Sequence, residues 1–258
     1  MVKISVVTVC YNAATTIEET ILSVINQTYS NIEYIVIDGG SSDKTIDIIR
    51  KYDDKIAYWI SEPDDGIYDA MNKAISLCTG EWINFMNSGD SFHSNDSISV
   101  VADILKQNTD TEVIYGDVNI RYDWGEKIYK PLPLDELKNK MVFSHQSCFV
   151  KSKLMKEEKF SLRYKIAGDY NFFYHQYMNN KKFMYVPICV ANFDGVNGIS
   201  ASRHFLALKE NAIINQNVNK IKWKFSYYTH MLFLNISNII KKILPAKTTA
   251  IIKRYKNK

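Results

Sequence analysis

Three acidic loops close apolar runs in the first 90 residues: Ile35-Val36-Ile37-Asp38-Gly39-Gly40, Ile60-Ser61-Glu62-Pro63-Asp64-Asp65-Gly66 and Phe85-Met86-Asn87-Ser88-Gly89-Asp90. In an open α/β sheet, ligands bind outside the carboxyl ends of the strands, so a carboxylate there faces a substrate. Such a carboxylate can hold a divalent cation against a phosphate, which is hard oxygen-ligand chemistry suited to Mg2+ or Mn2+. Tyr11 ends the first apolar run and adds a flat ring to the same rim. Together these residues call for a ligand that carries a ring and a metal-bound phosphate. Each also has a plain structural reading: Tyr11 as a strand-end core aromatic, Asp38 as a turn former, Asp69 as an N-terminal helix charge and Asp90 as a cap for a helix starting near Asn95.

The elements that must position these groups can be read from periodicity. Ile4-Ser5-Val6-Val7-Thr8-Val9 is a buried β-branched strand, and Ile17, Ile21, Leu22 and Ile25 recur at helical spacing after it. Strands at 32–37, 56–60 and 82–85 alternate with helices at 45–52 and 69–77, giving β-α-β-α-β-α-β. That alternation implies a parallel sheet with right-handed crossovers. Asp43 and Thr45 fit the start of the second helix better than a ligand site. Val9-Cys10-Tyr11-Asn12-Ala13-Ala14 contains no glycine, which excludes a dinucleotide-binding Gly-x-Gly-x-x-Gly turn, and no Gly-x-x-x-x-Gly-Lys-Ser/Thr phosphate loop is present.

The chain has 258 residues, is 46% hydrophobic and carries a net charge of +4. This suits one large α/β domain or two small ones. Its four cysteines, Cys10, Cys78, Cys148 and Cys189, are scattered, which argues against zinc and against a disulfide framework. The run Met-Val-Lys leads straight into a strand, so a cytoplasmic location is expected. Charge is uneven. From Ala201 onward there are twelve Lys/Arg and a single acid, Glu210, which leaves the first 200 residues net acidic. A catalytic body with a basic appendage is the expected division.

Four ordered strings resemble the motifs of family 2 glycosyltransferases with the GT-A fold: Thr8-Val9-Cys10-Tyr11-Asn12, Ile35 to Thr45, Asp64-Asp65-Gly66-Ile67-Tyr68-Asp69-Ala70-Met71-Asn72-Lys73, and Phe85 to Asp90. The resemblance covers roughly residues 1–200. It implies an α/β GT-A domain over 1–200 with a mostly parallel central sheet flanked by helices. Residues 1–93 would form its nucleotide-binding half, 94–200 its acceptor half, and 201–258 a basic helical C-terminal extension. It further implies inverting transfer of a hexose or N-acetylhexosamine from a nucleotide-diphosphate sugar, a UDP-sugar first, with Mg2+ or Mn2+. The acceptor would be a saccharide or lipid-linked saccharide in cell-surface polysaccharide assembly.

Carried onto this chain, Tyr11 would stack on the donor base and Asp38 would accept from its imide edge. Asp90 would ligate the metal. Thr8, Asn12, Asp64, Asp69, Asn72, Asn87, Ser88 and Gly89 would line the nucleotide site. The chain departs from the pattern at Asn87 and Gly89, where many members carry an acid, and at Ala13-Ala14, where a Glu is usual. A non-catalytic nucleotide-sugar-binding protein and a nucleotidyltransferase are the alternatives.

In the second half a helix is expected at 98–107 and strands at 113–122, 127–129, 144–150, 183–186 and 190–193. His145 and Gln146 would lie in the fourth-named range and could contact donor or acceptor sugar; a satisfied core histidine is an equal alternative. Asp169 heads a helix running to Met178 and matches the family's catalytic base, while an N-cap role fits the same geometry. The glycine-bearing loop 194–200 is expected near the site. In the tail, the run 221–244 mixes Trp223, Phe225, Tyr227, Tyr228, Met231, Leu232, Phe233 and Leu234 with lysines 220, 222, 224, 241 and 242. Peripheral contact of 220–258 with an anionic membrane and helices packed on the body fit it equally, and nucleic-acid binding is not indicated.

Overall fold

The computed structural model describes residues 1–195 and 203–243. The loop expected at 194–200 therefore lies outside the described residues from Val196 onward, as does the tail after Ile243. The first half runs β1 (Ile4–Cys10), α1 (Ile17–Ile25), β2 (Ile32–Asp38), α2 (Thr45–Arg50), β3 (Tyr58–Ser61), α3 (Ile67–Leu77) and β4 (Trp82–Phe85). The second runs β5 (Ser91–Phe92), α4 (Ser97–Gln107), β6 (Val113–Tyr122), β7 (Gly125–Tyr129), β8 (Cys148–Lys151), α5 (Ser152–Glu157), α6 (Gly168–Met178), β9 (Phe183–Asp194), α7 (His204–Ile214) and α8 (Ile221–Ile243).

One sheet takes the order β3-β2-β1-β4-β8-β6-β9-β5, with β7 paired to β6. The first four strands in that order are parallel, as the alternation requires. Beyond them the sheet is mixed: β8 runs antiparallel to β4 and β6, while β9 runs parallel to β6. β1 pairs on both edges and is covered by α1 and α3, so it is buried along its whole length and reads as a mostly β-branched run.

Helix α1 buries Ile17, Thr20, Ile21 and Val24, whereas Leu22 is 37% exposed. The inward face is thus rotated from the expected one and spends a position on a threonine. That threonine has a distant partner: Thr20 Oγ1 donates to the Asp90 carbonyl at 2.7 Å. The two strands expected at 183–186 and 190–193 form one strand, β9, with irregular register opposite Asp117 on β6.

At the end of the sheet away from the acidic loops, Glu33 is 9% exposed. It accepts from Lys3 Nζ at 2.8 Å, Ser5 Oγ at 2.6 Å and the Thr79 backbone N–H at 2.7 Å. Burial pushes this carboxyl up, but those donors outweigh it and hold it down at about 2. The chain divides into two compact units, Met1–Asn211 and Ala212–Lys258. Among the described residues no helix is long and apolar enough to cross a membrane.

Candidate active site

The parallel register sets Cys10 beside Asp38 and Asp38 beside Ser61, so the ends of β1, β2 and β3 are level. β4 ends lower, opposite Val7, and the loop after it climbs alongside β1. Met86 N–H donates to the Val7 carbonyl at 2.9 Å and Ser88 N–H to the Val9 carbonyl at 3.2 Å. Gly89 then takes φ +98°, a conformation open to glycine and strained for other residues. Its N–H donates to Thr20 Oγ1 at 3.1 Å, and the turn delivers Asp90 to the rim.

Asp90 is 6% exposed and its Oδ2 accepts from Gln146 Nε2 at 2.9 Å. Burial raises its carboxyl to about 6 despite that hydrogen bond, the nearby His145 and a bond from the Asp194 backbone. A buried carboxylate with a neutral amide as its partner is short of positive charge. A divalent cation would supply that charge, so Asp90 fits a metal that takes its other oxygens from water and phosphate. Among the described residues no three His, Cys, Asp or Glu groups gather into a metal cage.

The residue next to Gln146 serves a second carboxylate. His145 Nδ1 lies 3.2 Å from Asp169 Oδ2, and its Nε2 lies 3.1 Å from Asn87 Nδ2. Burial works against the imidazolium, but the Asp169 charge prevails and the imidazole is raised above its ordinary value. Burial likewise raises Asp169, yet His145, the Tyr170 backbone N–H and the Tyr68 hydroxyl outweigh it and hold the carboxyl low. Tyr68 also donates to the Ile166 carbonyl at 2.6 Å, and its ring lies 2.7 Å from where a Cβ on Gly168 would sit.

The strand expected over 144–150 begins only at Cys148, and His145–Ser147 is a 3-10 turn. Asn84 Nδ2 pins the turn by donating to the Gln146 and Cys148 carbonyls at 3.0 and 2.8 Å. A strand would send residues 145 and 146 to opposite faces. The turn lets them address two carboxylates on the same rim.

Tyr11 is 66% exposed on the rim. Asp38 is fully buried, with Oδ2 accepting from Gly40 N–H at 3.1 Å, Ser41 N–H at 2.8 Å and Ser61 Oγ at 2.6 Å. It reaches a base edge only if a serine gives way. Asn12 sits at φ +48° and its Oδ1 accepts from Ser42 N–H at 2.9 Å, joining two loops. Asp64 lies against Gly39 and accepts from Gly66 N–H at 2.8 Å.

Asp69 pairs with Lys73 at 3.5 Å. Ser88 Oγ meets Thr16 Oγ1 at 3.0 Å. Two expected ligand residues face away. Thr8 is fully buried and donates to the Met86 carbonyl at 2.7 Å. Asn72 bonds both Phe160 backbone groups, at 2.8 and 2.9 Å. Both were drawn to the rim by their place in a motif, but their strand and helix phases turn them inward. Tyr68 and Thr20 have roles that no spacing announced.

A cavity of about 270 Å3 opens beside Gly89, lined by Thr16, Glu19, Arg121 and Asp194 among others. It borders the Asp90 loop.

The chain is similar to known proteins over most of its length. The chain is 28% identical over 213 residues to the PGL/p-HBAD biosynthesis glycosyltransferase of Mycobacterium tuberculosis, covering 78% of this chain and 82% of the relative. A second M. tuberculosis protein, described as an uncharacterized glycosyltransferase, is 33% identical over 174 residues, 66% of each chain. Among solved structures, S. aureus TarS 1-349 in complex with UDP-GlcNAc superposes with TM-score 0.67 at 18% identity, covering 82% of this chain and 66% of that one. The match spans 39% of a longer TarS chain. The mannosyltransferase PcManGT from Pyrobaculum calidifontis, in complex with GDP-Man and Mn2+, superposes with TM-score 0.68 at 15% identity, covering 99% and 80%. These likenesses give the GT-A fold. The model of "Glycosyl transferase family 2" matches residues 5–163, and with that span the chain belongs to this family.

Proposed function

We propose that the protein is an inverting, metal-dependent glycosyltransferase that moves a hexose or N-acetylhexosamine from a UDP-sugar to a saccharide or lipid-linked saccharide in cell-surface polysaccharide assembly. The observation that carries this reading is the His145–Gln146 turn, which binds Asp90 and Asp169 to adjacent residues. Transfer needs a cation site for the leaving diphosphate and a base for the acceptor, side by side.

Tyr11 offers its ring to the base, and Asp38, Asp64 and the Asn12 loop shape the pocket beneath it. Asp90 would hold Mg2+ or Mn2+, which when bound neutralises charge on the diphosphate. Asp169 takes the proton of the acceptor hydroxyl as the new oxygen–carbon bond forms. The old glycosidic bond to phosphate breaks, and its electron pair leaves with the nucleoside diphosphate. His145 and Gln146 act through the two carboxylates, the first orienting Asp169 and the second Asp90. UDP and UDP-GlcNAc bound by TarS, and GDP-Man with Mn2+ bound by PcManGT, support a nucleotide-sugar donor.

Ile221, Phe225, Tyr228 and Leu232 recur at helical spacing on α8 and are 85%, 72%, 59% and 60% exposed, with Lys220, Lys222 and Lys224 beside them. We infer peripheral attachment of this helix to an anionic membrane. Cysteines that are all unpaired favour the cytoplasmic side.

A nucleotide-sugar panel, read by thermal stabilisation and then by transfer with and without Mn2+, tests the activity. No stabilisation by any donor would refute it. Sedimentation with phosphatidylserine vesicles tests the attachment, and equal binding by a chain truncated after Lys220 would refute that part.

A further inference from the structure

Glu210 is the one acid after residue 200, in a stretch with twelve basic residues, yet it is 6% exposed and bonded to backbone N–H groups. Its Oε1 accepts from Lys165 N–H, and its Oε2 accepts from Ile166 and Ala167 N–H, each at 2.9 Å. These three residues lead directly into α6, whose second residue is Asp169. Ala167 provides no side-chain cap for the helix, so the Glu210 carboxylate on α7 supplies negative charge to this end of the helix. On the opposite side Tyr68 holds the same peptide through the Ile166 carbonyl and touches Asp169 Oδ1 at 3.1 Å.

We propose that Glu210 is a positioning residue that fixes the backbone of 165–167 and thereby places Asp169 against His145. The inference rests on the reading of Asp169 as the base. Residues 165–167 lie in neither helix nor strand, so without this anion three amide donors lose their partners at once. An amide in its place cannot serve all three, because its NH2 group would face backbone N–H.

The test compares wild type with Glu210→Gln and Glu210→Ala in the full chain. Hydrogen exchange at the amides of Lys165, Ile166 and Ala167 should accelerate at least about tenfold in both, with β1 and β4 unchanged. With UDP-GlcNAc as probe donor, or whichever nucleotide sugar the panel selects, kcat should fall about 100-fold for Glu210→Gln while the donor KM stays within twofold. In an Asp169→Asn background, Glu210→Gln should cost no further turnover. Unchanged exchange at 165–167 overturns the proposal, and this readout stands even if no donor is turned over. Faster exchange with wild-type kcat, or a loss carried by donor KM, also overturns it by showing a purely structural contact.

Discussion

Replacing Asp169 by Asn should remove turnover and leave the molecule otherwise intact, and the structure shows why the two effects separate. The amide oxygen can still accept from Tyr68 at the 3.1 Å now spanned to Oδ1. Its NH2 would face His145 Nδ1, 3.2 Å from the present Oδ2, and the imidazole can answer with its other tautomer. That tautomer puts Nε2–H toward Asn87, whose buried Oδ1 has no partner at present, so a flip of the amide supplies the acceptor. The links through His145 are thereby satisfied again, with the Asn87 NH2 taking the unpartnered place its oxygen leaves, and the melting temperature should move by only a few degrees, about 5 °C or less. On the proposed reading the lost function is proton acceptance. General-base removal costs about 10²- to 10⁴-fold in rate, or about 3–5 kcal/mol on the barrier. The assay is single-turnover transfer from the donor identified by the panel, with calorimetric titration of UDP and Mn2+ as the binding control. A folded Asp169→Asn protein within fivefold of wild-type kcat would refute the assignment. A tenfold loss of UDP affinity would make Asp169 a donor ligand.

Tyr11→Ala should weaken UDP binding about five- to tenfold with no change in melting temperature, since the ring is 66% exposed and supports no core; unchanged affinity by titration would place the base elsewhere. Gly168→Ala should destabilise by about 1–3 kcal/mol in urea titration, because the new Cβ meets the Tyr68 ring at 2.7 Å; wild-type stability would mean that the ring yields freely. Glu33→Gln tests the latch at the far end of the sheet. The folded-state value of about 2 lies below the ordinary 4.5, so the stabilisation is present above pH 4.5 and is lost as pH falls toward 2. The variant should lose up to about 3 kcal/mol at pH 7 and much less near pH 2.5; an equal deficit at both would contradict the charge-based account.

The first 90 residues were legible because each rule used there is local. A β-branched run between polar loops makes a buried parallel strand, and its end lies on the ligand rim by topology alone. Tyr11 and Asp90 follow from that geometry. Thr8 and Asn72 show its limit, since motif membership does not give side-chain phase and both turn inward. The strand expected through His145 failed for a related reason. Apolar flanks favour extension, but Asn84, sixty residues away, supplies two amide bonds that hold a tight turn. Glu210 left a mark in the sequence as a lone acid among basic residues. Its partners are backbone groups, which composition cannot name.

The turn at His145–Ser147 also bears on how donor choice can change. One peptide unit gauges the spacing between Asp90 and Asp169, which in the proposed mechanism are the cation end and the proton end, so a shift there would detune both together. On the proposed reading the nucleotide would be chosen farther along the rim, where Tyr11 and the loops after β2 and β3 carry no part of that gauge. Substitutions that retune base or ribose preference can accumulate at that end while the distance that the chemistry depends on is left alone.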